Sequence, residues 1–213
     1  MARPKSVRGI SPEGSVFASA ALIMPVRVAE LLAYERYLVD PKNVVKLHEM
    51  RIAAKRLRYT IEIFAPHFGD AFAVILKTFK EIQDHLGFIH DADVLVPELE
   101  TFMQSHINHS LKKDAPPGVH FLDLDGLAGM VEICRKSRDE RDARYIQFIA
   151  QWNRLREEFF FEGLITITHH RAAAERAEVA VLEAELLASL LNAMPIVNQT
   201  LNPNSTPKGT GNG

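Results

Sequence analysis

The stretch Lys46-Leu-His-Glu-Met-Arg-Ile-Ala-Ala-Lys-Arg-Leu-Arg-Tyr59 decides the fold of this chain. Read at about 3.6 residues per turn, it predicts a helix whose apolar stripe continues past Tyr59. The stripe consists of Leu47, Met50, Ala54, Leu57, Ile61 and Phe64. Because a helix with one apolar stripe must bury it against other elements, the pattern predicts a helical bundle.

The same stretch gathers positive charge beside that stripe. It holds five Lys and Arg residues and one Glu, whereas the whole chain has 25 Lys and Arg against 27 Asp and Glu. His48, Arg51, Lys55 and Arg58 follow one another at spacings of three, four and three. Like charges at such spacings repel each other by a few tenths of a kcal/mol per pair. The arrangement therefore indicates a surface that holds an anion. Arg56 lies on another side of this helix, where a solvated side chain is its simplest interpretation.

Composition favours one soluble domain. The chain has 213 residues, 47% of them hydrophobic, which is enough for a sizeable core. A net charge of −2 argues against a general nucleic-acid coat protein. The single cysteine, Cys134, excludes an internal disulfide framework and fits a reducing cytoplasm. The longest uncharged window, Val16 to Val26, is too short to span a bilayer. We therefore expect a cytoplasmic protein without a membrane segment.

Breaks in the helical periodicity divide the chain into four predicted segments. They are a flexible N-terminal segment (1–19), a helical domain (20–162), a C-terminal amphipathic helix (163–194) and a disordered tail (195–213). The expected helices of the domain cover about 20–39 or 25–39, 42–65, 70–86, 91–107 and 127–161. Pro66 should end a helix, while Gly87 and Pro97 should break or bend one. The region from His109 to Asp125 reads as a loop. The predicted fold is an all-α antiparallel bundle.

The long fifth helix carries a second group of cations. Its apolar stripe reads Leu127, Val131, Cys134, Tyr145, Phe148, Trp152, Leu155 and Phe159. Arg138 and Arg141 occupy the two stripe positions in between, and burying an unpaired charge costs several kcal/mol. We therefore expect a partner carboxylate or a wet cavity beside them. Lys77 and Lys80 likewise border the apolar line of the third helix. Three helices could surround a common basic groove, and the alternative is ordinary surface ion pairs with nearby acidic residues.

Two motifs resemble the signature of the CHAD domain, the conserved histidine α-helical domain. They are His48-x-x-Arg51-x-x-x-Lys55-Arg56-Leu57-Arg58-Tyr59 and Gln83-Asp84-x-Leu86-Gly87-x-x-x-Asp91-x-Asp93-Val94. The resemblance covers about residues 20–162. It implies an all-helical fold that binds inorganic polyphosphate in a central basic cavity, in a family often fused or linked to triphosphate-processing domains.

This chain differs from the family pattern in one respect. A typical member holds two copies of the helical unit, each with its own His/Arg motif, and only one copy is visible here. His169-His170-Arg171 lacks the spacing of the motif. A symmetric homodimer would supply the second copy.

The resulting hypothesis is non-catalytic binding of inorganic polyphosphate, or a similar polyanion, with no cofactor. The candidate binding residues are His48, Arg51, Lys55, Arg56 and Arg58 on the second helix, together with Lys77, Lys80, Arg138 and Arg141. An alternative is an accessory or regulatory module that partners a triphosphate- or polyphosphate-metabolising enzyme. Two further alternatives are a helical scaffold and a nucleic-acid binder. The nucleic-acid binder is disfavoured because aromatic residues do not interleave with the basic run.

An enzyme is disfavoured because no metal-binding acidic run or glycine-rich phosphate loop stands out. Glu183-Ala-Glu185, for example, lacks the basic partner of a triphosphate tunnel motif. The residues His85, His90, Asp91 and Asp93 suggest a metal site, but their spacing scatters them around a helix.

Overall fold

The computed structural model describes residues 3–110 and 124–193. These residues form five α-helices and a short 3-10 helix. The helices are α1 (Val16–Leu32), α2 (Val44–Phe68), α3 (Asp70–Ser110), α4 (Leu124–Glu157) and α5 (Phe160–Ala193), with the 3-10 helix (Glu35–Tyr37) after α1. No strand occurs in these two ranges, so the all-α prediction is confirmed. The predicted tail and nearly all of the predicted loop after His109 lie outside the described residues.

The chain divides into two compact units, Met1–Ala173 and Ala174–Gly213. In the first unit α2 packs against α1 and α3, and α3 packs against α4. Its core includes the fully buried Met24, Leu57, Phe79, Trp152 and Phe161. The second unit contains the rest of α5, where the larger apolar side chains between Val179 and Leu190 are exposed. The predicted boundary at 163 differs from this division, because the first turns of α5 bury Phe161, Leu164 and Ala172 in the first unit.

The first helix begins and ends earlier than predicted. The Ser15 hydroxyl accepts a hydrogen bond from the Ala18 amide at 3.0 Å and caps α1, which starts at Val16, four residues before Ala20. Pro25 lies inside α1 rather than at its start. Part of the predicted flexible N-terminal segment contacts α1, since the Lys5 amide donates a hydrogen bond to the Glu30 carboxylate.

The segment Val16–Tyr37 is also long and apolar enough to cross a membrane, with a mean hydropathy of 1.8. A core helix of a soluble protein or a signal sequence meets the same criterion.

Helix α2 presents its predicted stripe to the core. Leu47, Met50, Ala54, Leu57, Ile61 and Phe64 are all buried. Asn43 caps its start, and Gly69, at φ 64°, ends it. The prediction that α2 ends before Pro66 is wrong by one turn, because only one backbone hydrogen bond is lost there while the buried stripe continues to Phe64.

Helix α3 runs through both residues that were expected to interrupt it. Gly87 and Pro97 lie inside a single helix of 41 residues. A buried stripe continues on both sides of Gly87 and consists of Phe72, Ile75, Phe79, Ile82, Leu86 and Ile89. Its burial outweighs the helix penalty of glycine, about 1 kcal/mol. Because α2 and α3 pack together and meet at Gly69, they run antiparallel.

Helix α4 ends at Glu157 instead of Phe161. Phe159 has a φ of 54°, so the chain leaves the helix there and α5 starts at the next residue. Cys134, Tyr145 and Trp152 are buried as predicted, whereas Val131 and Phe159 are 57% and 69% exposed. The predicted stripe is therefore correct at Cys134 and from Arg141 to Leu155.

Candidate functional site

Helices α2, α3 and α4 line a concave cavity of about 580 Å³, called the basic cavity below. Its lining residues are Arg51, Lys55, Arg58 and Tyr59 from α2, Gln83, Asp84, Gly87, Phe88 and Asp91 from α3, and Arg144 from α4. Four cations thus face the cavity against two carboxylates. Cations from two separate helices converge on one solvated hollow.

The helices place these side chains through their buried stripes. On α2, Arg51, Lys55 and Arg58 follow the spacing of the core stripe one step around the helix, so burial of Leu57 turns them to the cavity. On α4, Arg144 directly precedes the buried Tyr145. These cations are therefore positioned by packing of the helices rather than by loops.

Aromatic rings contact three of the four cations. The Tyr59 ring centroid lies 4.7 Å from the Arg58 guanidinium and 5.7 Å from the Lys55 ammonium. The Phe88 centroid lies 5.2 Å from the Arg144 guanidinium. Such cation–π contacts orient a cation without neutralising it.

Only one cation of the basic cavity pairs with a carboxylate within the described ranges. Arg58 bonds Glu62 at 2.6 Å, one turn further along α2. Arg51, Lys55 and Arg144 make no ion pair there. Three positive charges are therefore available to a ligand.

Two buried hydrogen-bond donors in the lining residues have no partner among the described residues. They are the Nε of Arg58 and the Nε2 of Gln83. A buried donor without an acceptor costs about 1–3 kcal/mol. Both atoms have almost no exposed surface, so an anionic oxygen in the cavity reaches them only after the side chains move.

His48 lies beside the basic cavity rather than in its lining. Its Nδ1 is 3.2 Å from the Nδ1 of His90, which joins α2 to α3 one turn from Arg51. Burial lowers the pKa of His90, and the positive charges of His48 and Arg51 lower it further. His90 is consequently neutral at pH 7, and one imidazole of the pair donates to the other.

Arg141 is buried, as its place in the stripe predicted, and it has a carboxylate partner. Its Nε donates to Asp93 at 2.9 Å, and Asp142 lies 3.2 Å away. Burial alone would lower the pKa of Arg141, but Asp93 and Asp142 raise it overall. The expectation of a partner carboxylate is confirmed, and Arg141 is engaged in the fold.

Arg138 differs from the stripe prediction, because it is exposed and bonds Glu100. Together with Arg141 it lines a second cavity of about 320 Å³ beside Pro97. The structure therefore places neither arginine in the basic cavity. The expectation of one groove shared by all the predicted cations is wrong in this respect.

Three further candidates also lie outside the lining. Lys77 and Lys80 are exposed on α3, on the N-terminal side of Asp84. Arg56 is not a plainly solvated side chain, because it pairs with the buried Glu30 at 3.1 Å and joins α2 to α1. The structure thus brings together Arg51, Lys55 and Arg58 and leaves these three elsewhere.

Arg144 is the residue that the sequence interpretation missed. It is absent from the candidate binding residues above, although it directly precedes Tyr145, a buried aromatic residue. The sequence signal that could have identified Arg144 is its position next to Tyr145, a residue of the apolar stripe. Its proximity to Arg51 depends on the packing of α4 and has no local signature.

The suspected metal ligands do not meet. Among the residues with described positions, no group of three or more His, Cys, Asp or Glu is arranged to hold a metal ion. Asp93 pairs with Arg141, and Asp91 lines the basic cavity. His85 lines a separate polar cavity between α3 and α4, where burial and then the charge of Arg144 lower its pKa.

Comparison with protein families finds that the CHAD domain matches residues 12–100. The resemblance noted above is thereby confirmed for this part of the chain, and the family is linked to polyphosphate- and triphosphate-related proteins. The match contains the α2 and α3 walls of the basic cavity, while Arg144 lies beyond it. Comparisons with curated proteins and with solved structures find no match.

Proposed function

We propose that this chain, which carries a CHAD domain over residues 12–100, binds inorganic polyphosphate or a similar polyanion in the basic cavity without catalysing its turnover. The observation that carries the proposal is the set of three cations from two helices, Arg51, Lys55 and Arg144, that face one cavity and pair with no carboxylate among the described residues. A flexible chain with about one negative charge per phosphate complements such a surface.

The chemistry of the lining supports a binding role. Arginine forks meet phosphate oxygens bidentately, while Lys55 supplies a point charge. A dense anion near the His48–His90 pair would oppose the lowering of the pKa of His90 and favour further donation.

A nucleic acid is a weaker candidate for the same cavity. Its phosphates fit the cations, but only the edge of Tyr59 and the ring of Phe88 offer contacts for bases, and both rings already lie against cations. Competition between polyphosphate and single-stranded RNA of equal phosphate number discriminates between the two.

We further propose that the protein works in a reducing compartment such as the cytoplasm, since Cys134 is a buried free thiol.

We also propose that two copies of the chain form a homodimer that combines two basic cavities. Sedimentation with and without polyphosphate tests it, and a monomer under both conditions would contradict it.

A charge-reversal pair tests the proposed site. We expect Arg51→Glu with Arg144→Glu to weaken polyphosphate binding by about 100-fold, because two charge-assisted contacts are replaced by repulsion. Isothermal titration calorimetry measures the affinity, and circular dichroism checks that the helices remain.

The matched control reverses two charges outside the cavity, Arg36→Glu with Arg135→Glu, and both side chains are exposed. Binding within about twofold of the original protein is expected for it. Equal losses in the two double variants would remove the basic cavity from the proposal.

A further inference from the structure

The two principal walls of the basic cavity have opposite charge. The α2 wall carries Arg51, Lys55 and Arg58, whereas the charged residues of the α3 wall are Asp84 and Asp91. These two aspartates are seven residues apart, which puts them on the same side of α3 and about 10 Å apart along its axis. A ligand between the walls meets cations on one side and carboxylates on the other.

The opposite charges do not neutralise each other. Within the described ranges neither Asp84 nor Asp91 forms an ion pair with a cation of the cavity, and Arg51, Lys55 and Arg144 are unpaired as well. Both carboxylates are exposed to solvent. A bare polyanion would therefore be attracted by α2 and repelled by α3.

A polyphosphate that carries Mg²⁺ complements both walls. Mg²⁺ keeps several waters and is bound in proteins through one or two carboxylates together with phosphate oxygens. No group of three metal-ligating residues occurs in the part of the chain that the structure describes, so the phosphates and waters must supply most of the ligands. The cation then faces α3 while the outer phosphate oxygens face α2.

We propose that the form of polyphosphate bound in the basic cavity is its Mg²⁺ complex, and that Asp84 and Asp91 are the residues that select it. This inference rests on the proposed function. In it the carboxylates contact the Mg²⁺ that the ligand brings, directly or through one water, and they hold no ion in the absence of phosphate.

The sign of the Mg²⁺ effect distinguishes this site from a purely cationic one. Complexation lowers the negative charge of polyphosphate, so a site made only of cations loses affinity when Mg²⁺ is added. A site in which carboxylates receive the metal gains affinity instead. The comparison must be made at constant ionic strength, because screening alone weakens binding.

Titration calorimetry with sodium polyphosphate, once in EDTA and once in Mg²⁺, tests the proposal on the full chain. We expect Mg²⁺ to tighten binding to the original protein by about fivefold. In Asp84→Asn with Asp91→Asn, binding in EDTA should be tighter than in the original protein, and Mg²⁺ should weaken it. Asp139→Asn, which alters a surface pair with Arg135, serves as the control and should keep the original response.

The outcomes separate the two levels of the proposal. Binding in EDTA that Mg²⁺ weakens or leaves unchanged overturns the Mg²⁺ inference and leaves polyphosphate binding intact. The same holds if the double asparagine variant keeps the original Mg²⁺ response. An absence of binding in both media contradicts the proposed function itself.

Discussion

Aromatic rings orient three cations of the basic cavity, and two of the three, Lys55 and Arg144, pair with no carboxylate in the described ranges. Tyr59 contacts Lys55 and Arg58, and Phe88 contacts Arg144. The contrast is Arg141, which is buried against Asp93 and contributes to the fold. Charge that is oriented yet not neutralised is what a site for a dense anion requires.

Gly87 keeps space open on the α3 wall. A Cβ at this position would lie 4.0 Å from Arg51 Nε, so a small side chain is accepted while a longer one enters the cavity. We expect Gly87→Leu to raise helix stability by about 0.5–1 kcal/mol. We also expect it to weaken polyphosphate binding by about tenfold or more, because the added side chain occupies part of the cavity that the ligand would fill.

Gly129→Leu is the matched control, since nothing lies within 4 Å of a Cβ there. This variant should gain as much stability in thermal unfolding as Gly87→Leu, and its polyphosphate affinity in calorimetry should stay that of the original protein. If Gly87→Leu bound polyphosphate as well as the Gly129 variant does, the ligand would have to lie elsewhere.

Glu30 links the N-terminal segment and α2 to α1, and it makes stability depend on pH. Burial alone would raise the pKa of Glu30, but the bonds from the Lys5 amide, Arg27 and Arg56 lower it overall. The ionised Glu30 carboxylate therefore stabilises the folded protein above the pKa that Glu30 has in the unfolded chain, about 4.5. This stabilisation is lost as pH falls through the lower pKa that Glu30 has in the folded protein.

We expect Glu30→Gln to cost about 2 kcal/mol at pH 7, because two partly buried arginines lose their carboxylate. The cost should shrink below pH 4. Urea unfolding at both pH values measures it, and an equal loss at pH 7 and pH 3 would contradict the role of the charge.

At the scale of elements, the helices are longer than local signals indicate because packing outweighs propensity. Asn43, Gly69 and the α2 stripe could be predicted, since caps and periodicity are local properties. Gly87 and Pro97 were expected to interrupt α3, and the buried stripe that overrides them is contributed by contacts with α2 and α4. Such contacts leave no signal in a local window.

The junction between α4 and α5 contains a residue in an unfavourable conformation. Phe159 has a φ of 54° and is 69% exposed, so its ring contributes little packing in return. Glycine is the residue favoured at such a position after a helix. We expect Phe159→Gly to stabilise the protein by about 1 kcal/mol in urea unfolding.

Ile146→Gly provides the comparison, because Ile146 is also 69% exposed but lies inside α4. It should destabilise the protein by about 1 kcal/mol. Destabilisation by both substitutions would show that the Phe159 side chain matters more than its backbone strain.

At the scale of the whole molecule, the sequence predicted the fold class and one wall of the site. Arg51, Lys55 and Arg58 could be predicted as site residues because they share one face of a helix. Arg144 could not be predicted, since its place depends on how α4 packs against α3, which lies far away in sequence. Arg138 and Arg141 were assigned to the same groove because periodicity locates a residue on its own helix and says nothing about the facing carboxylates, Glu100 and Asp93.

The salt dependence of polyphosphate affinity tests most directly whether the converging cations form the binding site. Calorimetry between about 50 and 300 mM NaCl should give a linear fall of log K with log salt, with a slope of about −2 if the three unpaired cations each contribute about 0.7. Arg51→Glu with Arg144→Glu should flatten that slope. An affinity that does not change over this range would contradict the electrostatic site.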